Sequence, residues 1–228
     1  MGLEGLQHIL EHVKPSVLFH IGPIPINTTV FNTWIVMIIL FPLVYFLTRR
    51  LNTVPRGIQN LLEILADFVN GLLDDSIGKE EGRKFLPLVG TLFVFILFLN
   101  LSWFIPEMKP PTTDLSTTLA FAVITMVVVE CAGIRKQGLG GYIKHFFQPT
   151  PFLFPLNLME ELVKPVSLSL RLFANMFGEK AAVAALLLMF PLFLPIPVMV
   201  LGVIMGVIQA FVFSLLTVVY IATLVHGH

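Results

Sequence analysis

The stretch that decides the fold is AAVAALLLMFPLFLPIPVMVLGVIMGVIQAFVFSLLTVVYIATLV, residues Ala181 to Val225, in which no Asp, Glu, Lys or Arg occurs. A helix crosses about 30 Å of hydrocarbon with roughly 20 apolar residues, so this run is long enough for two crossings. Pro191, Pro195 and Pro197 interrupt it, and a proline inside a helix removes a backbone hydrogen bond and clashes with the preceding turn. The run therefore predicts two membrane helices joined by a tight turn.

The two arms of this terminal hairpin are longer than one bilayer crossing. We predict the first arm over residues 151–190, starting near Pro151 or Pro155, and the second over residues 196–226. A helix of about 35 to 40 residues extends well over about 50 Å. Because the hydrocarbon is about 30 Å thick, both helices must bend or lie strongly tilted.

Three further uncharged runs of membrane-spanning length precede the hairpin. The uncharged runs are Val30 to Leu47, Phe85 to Pro106 and Leu115 to Ile134, the last interrupted only by Glu130. They predict spans over residues 30–50, 85–106 and 114–134. The chain of 228 residues is 56% hydrophobic and 12% charged, whereas soluble domains are about 25% charged. The sequence therefore predicts an all-α integral membrane protein with about five membrane-embedded helices, forming a single membrane domain over residues 1–228.

Residues 56–76 predict a helix of a different kind, in which apolar side chains recur at i, i+3, i+4 and i+7. The apolar face contains Ile58, Leu61, Leu62, Leu65, Phe68, Val69, Leu72 and Leu73. The opposite face contains Gln59, Glu63, Asp67, Asn70 and Asp74. Because hydrocarbon does not accommodate so many carboxylates, we predict an amphipathic helix at the membrane interface or against a partner.

The composition also excludes several classes of function. The formal net charge is zero, so nothing indicates a nucleic-acid partner. Cys131 is the single cysteine, which excludes an intrachain disulfide and a cysteine metal site, and we expect it to be a small buried core residue. No phosphate loop, metal-ligand cluster or nucleophile constellation indicates an independent enzyme.

The basic residues indicate the orientation of the chain. The loop at residues 106–114 has only Lys109 and the turn at residues 191–197 has no basic residue, whereas the other loops are rich in them. These basic loops contain Arg49, Arg50, Arg56, Arg83, Lys84, Arg135, Lys136 and Lys144. Because such loops face the cytoplasm, we predict a multi-pass protein of the cell inner membrane with its N-terminus outside and its C-terminus cytoplasmic.

One segment, EELVKPVSLSLRLFANMFGEK at residues 160–180, places charge inside a helix that is otherwise typical of a membrane-embedded one. At about 100° per residue, one polar stripe of that helix contains Lys164, Ser167, Arg171, Asn175 and Glu179. A charge at mid-bilayer costs at least about 2.5 to 3.5 kcal/mol, so Arg171 is the strongest functional candidate and needs a water cavity or a carboxylate. Glu179 is two helical turns away, which favours a partner on another chain.

Other interpretations stay open at this point. Arg171 could snorkel, or it could pair with a carboxylate only to lock two helices together. A secondary transporter would use the arginine to bind an anionic substrate, but it would also predict inverted repeats and broken helices in both halves, and the embedded charge is confined to one half. A membrane scaffold without transport would leave the polar stripe without a role.

Four segments of the chain, taken in order, resemble subunit a of the F-type ATP synthases. The most informative is KPVSLSLRLFANM at residues 164–176, which resembles the signature of that family. GPIPI at residues 22–26 with TWIVM at 33–37 is similar to the entry of the family's first helix. KPPTTDL at residues 109–115 with TTL at 117–119 is similar to its outer loop. QAFVF at residues 209–213 with LTVVY at 216–220 is similar to its final helix.

The resemblance implies a mechanism. In that family an arginine faces a ring of subunit c hairpins, each with a membrane carboxylate, and two offset aqueous half-channels reach the ring from opposite sides. Arg171 matches that arginine, and a permanently protonated guanidinium attracts the ionised carboxylate while blocking direct proton passage. The chain would be a non-catalytic, proton-translocating subunit without cofactor or metal. Its implied partners are the c-ring, peripheral-stalk subunit b, the remaining ATP synthase complex and membrane lipid.

The resemblance also assigns the outer part of a proton path. Asn175 and Gln209 match the family's amide positions on the two long helices, where they would bind water or orient Arg171, and interhelical polar contact is the alternative. Glu179 would act as a relay in the outer half-channel, and Asn100 on the second span would contact the same water.

The resemblance assigns the inner half-channel to Ser167, Glu160 and Glu161. The alternative for the two carboxylates is a favourable interaction with the positive end of the helix dipole, since both lie near the start of the helix.

The sequence departs from the family pattern at three places. Glu179 is one residue closer to the arginine than usual, and Gly202 and Trp103 stand where some relatives have titratable side chains. We expect the outer path to use more water and fewer titrating groups. Protons and sodium ions are not distinguished by these residues.

Overall fold

Helices form nearly all of the computed structural model, which describes residues 17–21, 24–49, 57–104, 108–147, 150–189 and 195–226. In the described residues the elements are β1 (Val17–Ile21), β2 (Ile24–Asn27), α1 (Thr28–Thr48), α2 (Ile58–Ser76), α3 (Lys79–Leu101), α4 (Leu115–Phe146), α5 (Phe154–Met189) and α6 (Pro195–His226). Short 3-10 turns lie at Ser102–Phe104, Pro111–Thr113 and Pro151–Leu153.

Within these described ranges, four helical segments are long and apolar enough to cross a membrane. They are α1, α3, residues Leu115–Gly138 of α4 and residues Ile196–Val225 of α6. α5 is the longest helix and contains the charged residues Glu160, Glu161, Lys164, Arg171, Glu179 and Lys180. The prediction of an all-α integral membrane protein is confirmed, and the embedding of α5 as a fifth membrane helix stays a prediction.

The two long C-terminal helices begin and end close to the predicted residues. α5 has 36 residues and α6 has 32. At about 1.5 Å per residue their lengths are about 54 Å and about 48 Å. Pro195 is the first residue of α6. Proline is favoured at this position because a backbone N–H there would form no hydrogen bond within the helix, so its absence costs nothing. Pro191 lies outside the described residues, and the tilt of the two helices stays a prediction.

The other spans differ from the predicted bounds at their polar ends. α3 begins at Lys79, before the apolar run, with Glu80 and Glu81 in its first turn. Acidic residues there interact favourably with the positive end of the helix dipole. α4 continues past the apolar run to Phe146, with a non-helical break at Gly138 (φ 73°, ψ 161°). Apolar runs therefore mark the hydrocarbon-spanning part of a helix and not its ends.

A short antiparallel hairpin of β1 and β2 precedes α1. The sequence pattern does not predict it. β2 leads directly into α1, since Asn27 ends the strand and Thr28 begins the helix. The hairpin therefore fixes the entry of the first span.

The chain forms two compact units, and α1, α3, α4, α5 and α6 contribute residues to both. The first unit comprises residues 1–44, 94–118 and 170–210, and the second comprises residues 45–93, 119–169 and 211–228. The single membrane domain over residues 1–228 stays a prediction.

Hydrogen bonds tie α1 of the first unit to the loop before α4. Thr29 Oγ1 donates to Asp114 Oδ2 at 2.8 Å, and Asn32 Nδ2 donates to the Lys109 carbonyl at 2.8 Å. The other oxygen of Asp114 accepts hydrogen bonds from the Ser116 N–H at 3.0 Å and the Ser116 hydroxyl at 2.8 Å. Asp114 therefore caps the N-terminus of α4 and also anchors α1.

The core of the second unit is apolar and includes the amphipathic helix α2. Its buried cluster contains Val69, Leu73, Ile77, Val89, Val129, Val218, Ile221, Leu224 and Val225. α2 contributes Val69 and Leu73, whereas Glu63 and Asp67 on its polar face are exposed. The predicted helix over residues 56–76 is thus present as Ile58–Ser76, and its location at a membrane interface stays a prediction.

Cys131 corrects one expectation from the sequence. Its side chain is exposed, so the prediction of a buried core residue was wrong. Cys131 is on α4 between buried Val129 and buried Gly133, at a helix position that points away from the core of the second unit. A membrane helix presents apolar side chains to lipid as well as to protein, and for this reason hydrophobicity does not reveal which face is buried.

Candidate functional site

Arg171 lies on the exposed face of α5 in the first unit. The exposed residues on this part of the helix are Leu170, Arg171, Ala174, Gly178, Ala182, Ala185 and Leu187. Leu172 and Met176 are buried on the other side. In the part of the chain that the structure describes, Arg171 takes part in no ion pair. The guanidinium is therefore presented outward from a face made mostly of apolar and small side chains.

Two amides meet on the buried side of this helix. Asn175 Nδ2 of α5 donates to Gln209 Oε1 of α6 at 2.5 Å. Gln209 is only 2% exposed, and its Nε2 has no hydrogen-bond partner among the described residues. The two amides predicted from the sequence therefore form a direct hydrogen bond. The buried Nε2 of Gln209 still lacks an acceptor, and an ordered water molecule is a suitable one.

Asn100 of α3 is buried and bonds to the backbone of α6. Its Nδ2 donates to the Gly206 carbonyl at 2.9 Å, while its Oδ1 has no hydrogen-bond partner in the described chain. A Cβ at Gly206 would lie 3.2 Å from the Asn100 Cβ, so glycine permits this close approach. Asn100, like Gln209, therefore places an unsatisfied polar atom in the interior of the first unit.

Glu179 points toward α6 and pairs with its neighbour on α5. Its Oε1 lies 3.6 Å from Lys180 Nζ, and both side chains are about nine-tenths buried, at 10% and 9% exposure. The Lys180 ammonium also lies over the Trp103 ring in a cation–π contact. A Cβ at Gly202 would lie 1.9 Å from Glu179 Oε1, so the glycine provides the space that the carboxylate occupies.

A cavity lies beside this ion pair in the first unit. Its volume is about 180 Å³, and Trp103, Lys109 and Lys180 are among the residues that line it. The other lining residues are Met108, Pro110, Thr113, Val183, Ala184 and Leu187, so the cavity is mainly apolar. The outer-path candidates Asn100, Glu179, Asn175 and Gln209 all belong to the first unit, but none of them lines this cavity.

The inner-path candidates lie in the second unit. Lys164 Nζ binds Glu161 Oε1 at 2.5 Å and is 3.8 Å from Glu160 Oε1. The Glu161 side chain is 15% exposed, whereas that of Glu160 is 69% exposed. Ser167 is partly buried. The structure thus joins Glu161 to Lys164 and leaves Glu160 mainly at the surface.

Glu130 and Tyr142 of α4 form a hydrogen bond that the sequence does not predict. The Tyr142 phenol donates to Glu130 Oε2. Burial raises the pKa of the Tyr142 phenol above its ordinary value, and the bond to the Glu130 carboxylate raises it further, so the phenol remains a proton donor at neutral pH. The interruption of an apolar run by Glu130 was the only sequence signal for this contact.

Lys180 is the other site residue that sequence reasoning missed. It follows Glu179 directly, and its position about 100° around the helix placed it outside the polar stripe. Its long side chain nevertheless reaches both Glu179 and Trp103. Among the described residues, no group of three His, Cys, Asp or Glu side chains could hold a metal ion.

These features define a class, a multi-pass helical membrane protein with an exposed arginine on one long helix and buried polar side chains on the helices beside it. A family model for the ATP synthase A chain matches residues 30–222. The chain belongs to this family, that of ATP synthase subunit a.

Individual relatives agree over nearly their full lengths. ATP synthase subunit a of Moorella thermoacetica is 64% identical over 219 residues, which cover 96% of this chain and 100% of the relative. ATP synthase subunit a 1 of Syntrophotalea carbinolica is 41% identical, covering 95% and 92%. ATP synthase subunit a of Gloeobacter violaceus is 39% identical, covering 95% and 91%. The family assigned from the sequence is therefore confirmed.

Proposed function

We propose that this chain is the stator subunit of the ATP synthase proton channel. It provides two aqueous half-channels and the essential Arg171, which faces the carboxylates of a c-ring and couples proton translocation to ring rotation and ATP synthesis. The chain itself is non-catalytic in this proposal. The observation that carries it is the exposure of Arg171 on the outer face of α5, with no ion pair among the described residues.

The composition of that face fits a passing helix with a carboxylate. An arginine facing lipid costs at least about 2.5 kcal/mol, so a carboxylate on a partner would offset an otherwise unfavourable position. Ala174, Gly178 and Ala182 on the same face are small, and small residues allow helices to approach closely in membranes. The face therefore combines one fixed charge with a smooth surface on which a ring can slide.

The charge of Arg171 favours proton release from a ring carboxyl. At about 4 Å and an effective dielectric constant of about 20, opposite unit charges attract by about 4 kcal/mol. Since about 1.4 kcal/mol corresponds to a factor of ten, the ionised carboxylate is favoured by about a thousandfold. The guanidinium does not lose its own proton in the physiological range, so it also prevents protons from passing directly between the half-channels.

The outer half-channel uses residues of the first unit. Glu179 acts as the relay carboxylate, and Lys180 holds it in place through the 3.6 Å ion pair. Asn100, Asn175 and Gln209 supply neutral hydrogen-bonding groups, two of which have buried atoms without a protein partner in the described chain. Buried polar groups of this kind are commonly satisfied by ordered water, and this supports a water path.

The inner half-channel uses Ser167, Glu160 and Glu161 in the second unit. The exposed Glu160 serves as the entrance, and the partly buried Glu161, held by Lys164, lies deeper. The orientation follows from the basic loops, so the N-terminus is outside the cell inner membrane and the C-terminus is cytoplasmic. Two of the basic residues in these loops, Arg50 and Arg56, lie outside the described residues. The partners are the c-ring, subunit b, the remaining complex and lipid.

Cross-linking in the assembled complex tests this proposal. In a Cys131→Ser background, Ala174→Cys on the exposed face should form a disulfide with a cysteine placed beside the ring carboxylate. The matched control is Ala210→Cys, at a fully buried alanine of α6, which should form none. The chain should also co-isolate with an oligomeric ring of small hairpin subunits. Isolation without such a ring, or cross-linking from position 210 alone, would contradict the proposal.

A further inference from the structure

A second cavity, with a volume of about 600 Å³, lies in the second unit. Its wall comes from the start of α3, the middle of α4 and the end of α6. The volume is within the range of about 300 to 1,000 Å³ that is typical of small-molecule sites in proteins. None of the residues given a role in the proton path above lines this cavity.

The cavity has more basic than acidic side chains in its wall, and the charged ones are Glu81, Lys84, Arg135 and Lys136. Glu81 Oε2 lies 2.5 Å from Lys136 Nζ, so these two charges neutralise each other. Lys84 and Arg135 are exposed and take part in no ion pair among the described residues. The cavity therefore presents two positive charges that this part of the chain does not balance.

The rest of the wall, apart from Cys131, is apolar and consists of Phe85, Leu88, Val127, Val128, Ala132 and Val225. The apolar and charged residues are separated along both helices. On α4, Val127 is eight residues before Arg135, which is about 12 Å along the axis, and on α3 Leu88 follows Lys84 by about one turn. The ion pair between α3 and α4 joins their charged ends. The cavity thus has a cationic end and an apolar end.

The cationic end lies where the apolar runs of both spans stop. Lys84 directly precedes the uncharged run that begins at Phe85, and Arg135 directly follows the one that ends at Ile134. Basic residues at this depth are close to headgroup phosphates, whereas the apolar residues lie in the hydrocarbon layer. A free anion would use only the cationic end, but an anionic phospholipid matches both ends.

We propose that this cavity binds an anionic phospholipid, whose phosphate contacts Lys84 and Arg135 and whose acyl chain packs along Leu88 and Val127. Arginine binds phosphate through parallel N–H groups, and lysine binds it as a point charge. Basic pockets between membrane helices on the cytoplasmic side bind anionic headgroups in this way. The choice of the cytoplasmic leaflet rests on the proposed orientation, whereas the site itself does not depend on Arg171 or the proton path.

Cys131 is suited to report on this site, because it is the single cysteine of the chain, is exposed, and lines the cavity. The experiment measures the rate at which the neutral reagent N-ethylmaleimide alkylates Cys131 in the whole complex. The complex is washed exhaustively in non-ionic detergent at fixed ionic strength, and the chain is separated after the reaction so that only its own thiol is counted. Short-chain phosphatidylglycerol, short-chain phosphatidylcholine and inorganic phosphate are titrated in separately.

The anionic lipid should slow alkylation at a concentration at least about tenfold below that of the zwitterionic lipid, because one basic residue near anionic lipid contributes about fivefold and the site has two. Inorganic phosphate should not slow it. Lys84→Gln and Arg135→Gln should each raise the half-protecting concentration of the anionic lipid by about fivefold. The matched control is Arg83→Gln, which removes an exposed charge beside Lys84 but outside the cavity wall and should cause no shift.

Equal protection by the two lipids would indicate an apolar groove without headgroup recognition and would overturn the proposal. Protection by phosphate would indicate a site for free anions, and an equal shift in Arg83→Gln would indicate a general surface potential; either result contradicts the proposal. A Cys131 thiol that stays unreactive in the washed complex and in both cavity variants would mean that another subunit covers the cavity. Arg171→Ala should leave the protection unchanged, so failure of the proton path and failure of this site can be told apart.

Discussion

Replacing Gly202 with alanine tests whether the position of Glu179 matters for proton movement. The added Cβ would lie 1.9 Å from Glu179 Oε1, whereas ordinary contact begins at 3.4 Å, so the carboxylate must move by about 1.5 Å. A displacement of about 1 Å in a reacting group can cost about a hundredfold in rate. The cost in stability is small, because a flexible side chain that leaves its preferred rotamer loses only about 0.5 to 1.5 kcal/mol. We therefore predict a tenfold to hundredfold loss of pumping, as an order of magnitude, in an assembled complex.

The assay is ATP-driven pumping in reconstituted vesicles, with assembly checked in the same preparation. Gly90→Ala is the matched control, because a Cβ there meets no atom within 4 Å. An assembled Gly202→Ala complex that pumps at the normal rate would refute the role given to Glu179.

Further predictions concern the amides, the cap of α4 and the orientation. Asn175→Ala or Gln209→Ala should lower the pumping rate without abolishing it, because each removes a hydrogen-bonding group and no charge; a complete loss in an assembled complex would contradict this. Asp114→Ala should lower the free energy of unfolding by about 0.5 to 2 kcal/mol through the lost cap, with more from the lost bond to Thr29, measured by thermal unfolding in detergent. Cysteines at positions 3 and 135 should react with an impermeant reagent from outside and from the cytoplasm respectively, and the reverse pattern would invert the proposed topology.

The fold was predictable where it depends on hydrophobicity. Apolar runs located the four segments of the described residues that are long and apolar enough to cross a membrane, because the bilayer requires about 20 apolar residues for each crossing. They did not locate the helix ends, since residues such as Lys79 or Tyr142 continue the helical backbone in a polar environment. The β-hairpin was not predicted because a strand of four or five residues depends on its pairing partner more than on its own sequence.

The candidate site was predictable in its residue types and only partly in its arrangement. Helical periodicity placed Arg171, Asn175 and Glu179 on one stripe, but in the structure the stripe lies across the boundary between exposed and buried sides of α5. Arg171 faces outward, while Asn175 and Glu179 face α6. Which side is buried depends on the packing of other helices, and one helix's periodicity does not contain that information.

Proton transport by vesicles that contain Arg171→Ala tests the central claim most directly. The account predicts that the complex assembles, that ATP-driven pumping and coupled ATP synthesis are both lost, and that a passive proton leak opens between the half-channels. Arg171→Lys should restore little, because a buried ammonium can lose its proton and with it the barrier, whereas a guanidinium cannot. Near-normal coupled turnover by an assembled Arg171→Ala complex would contradict the account.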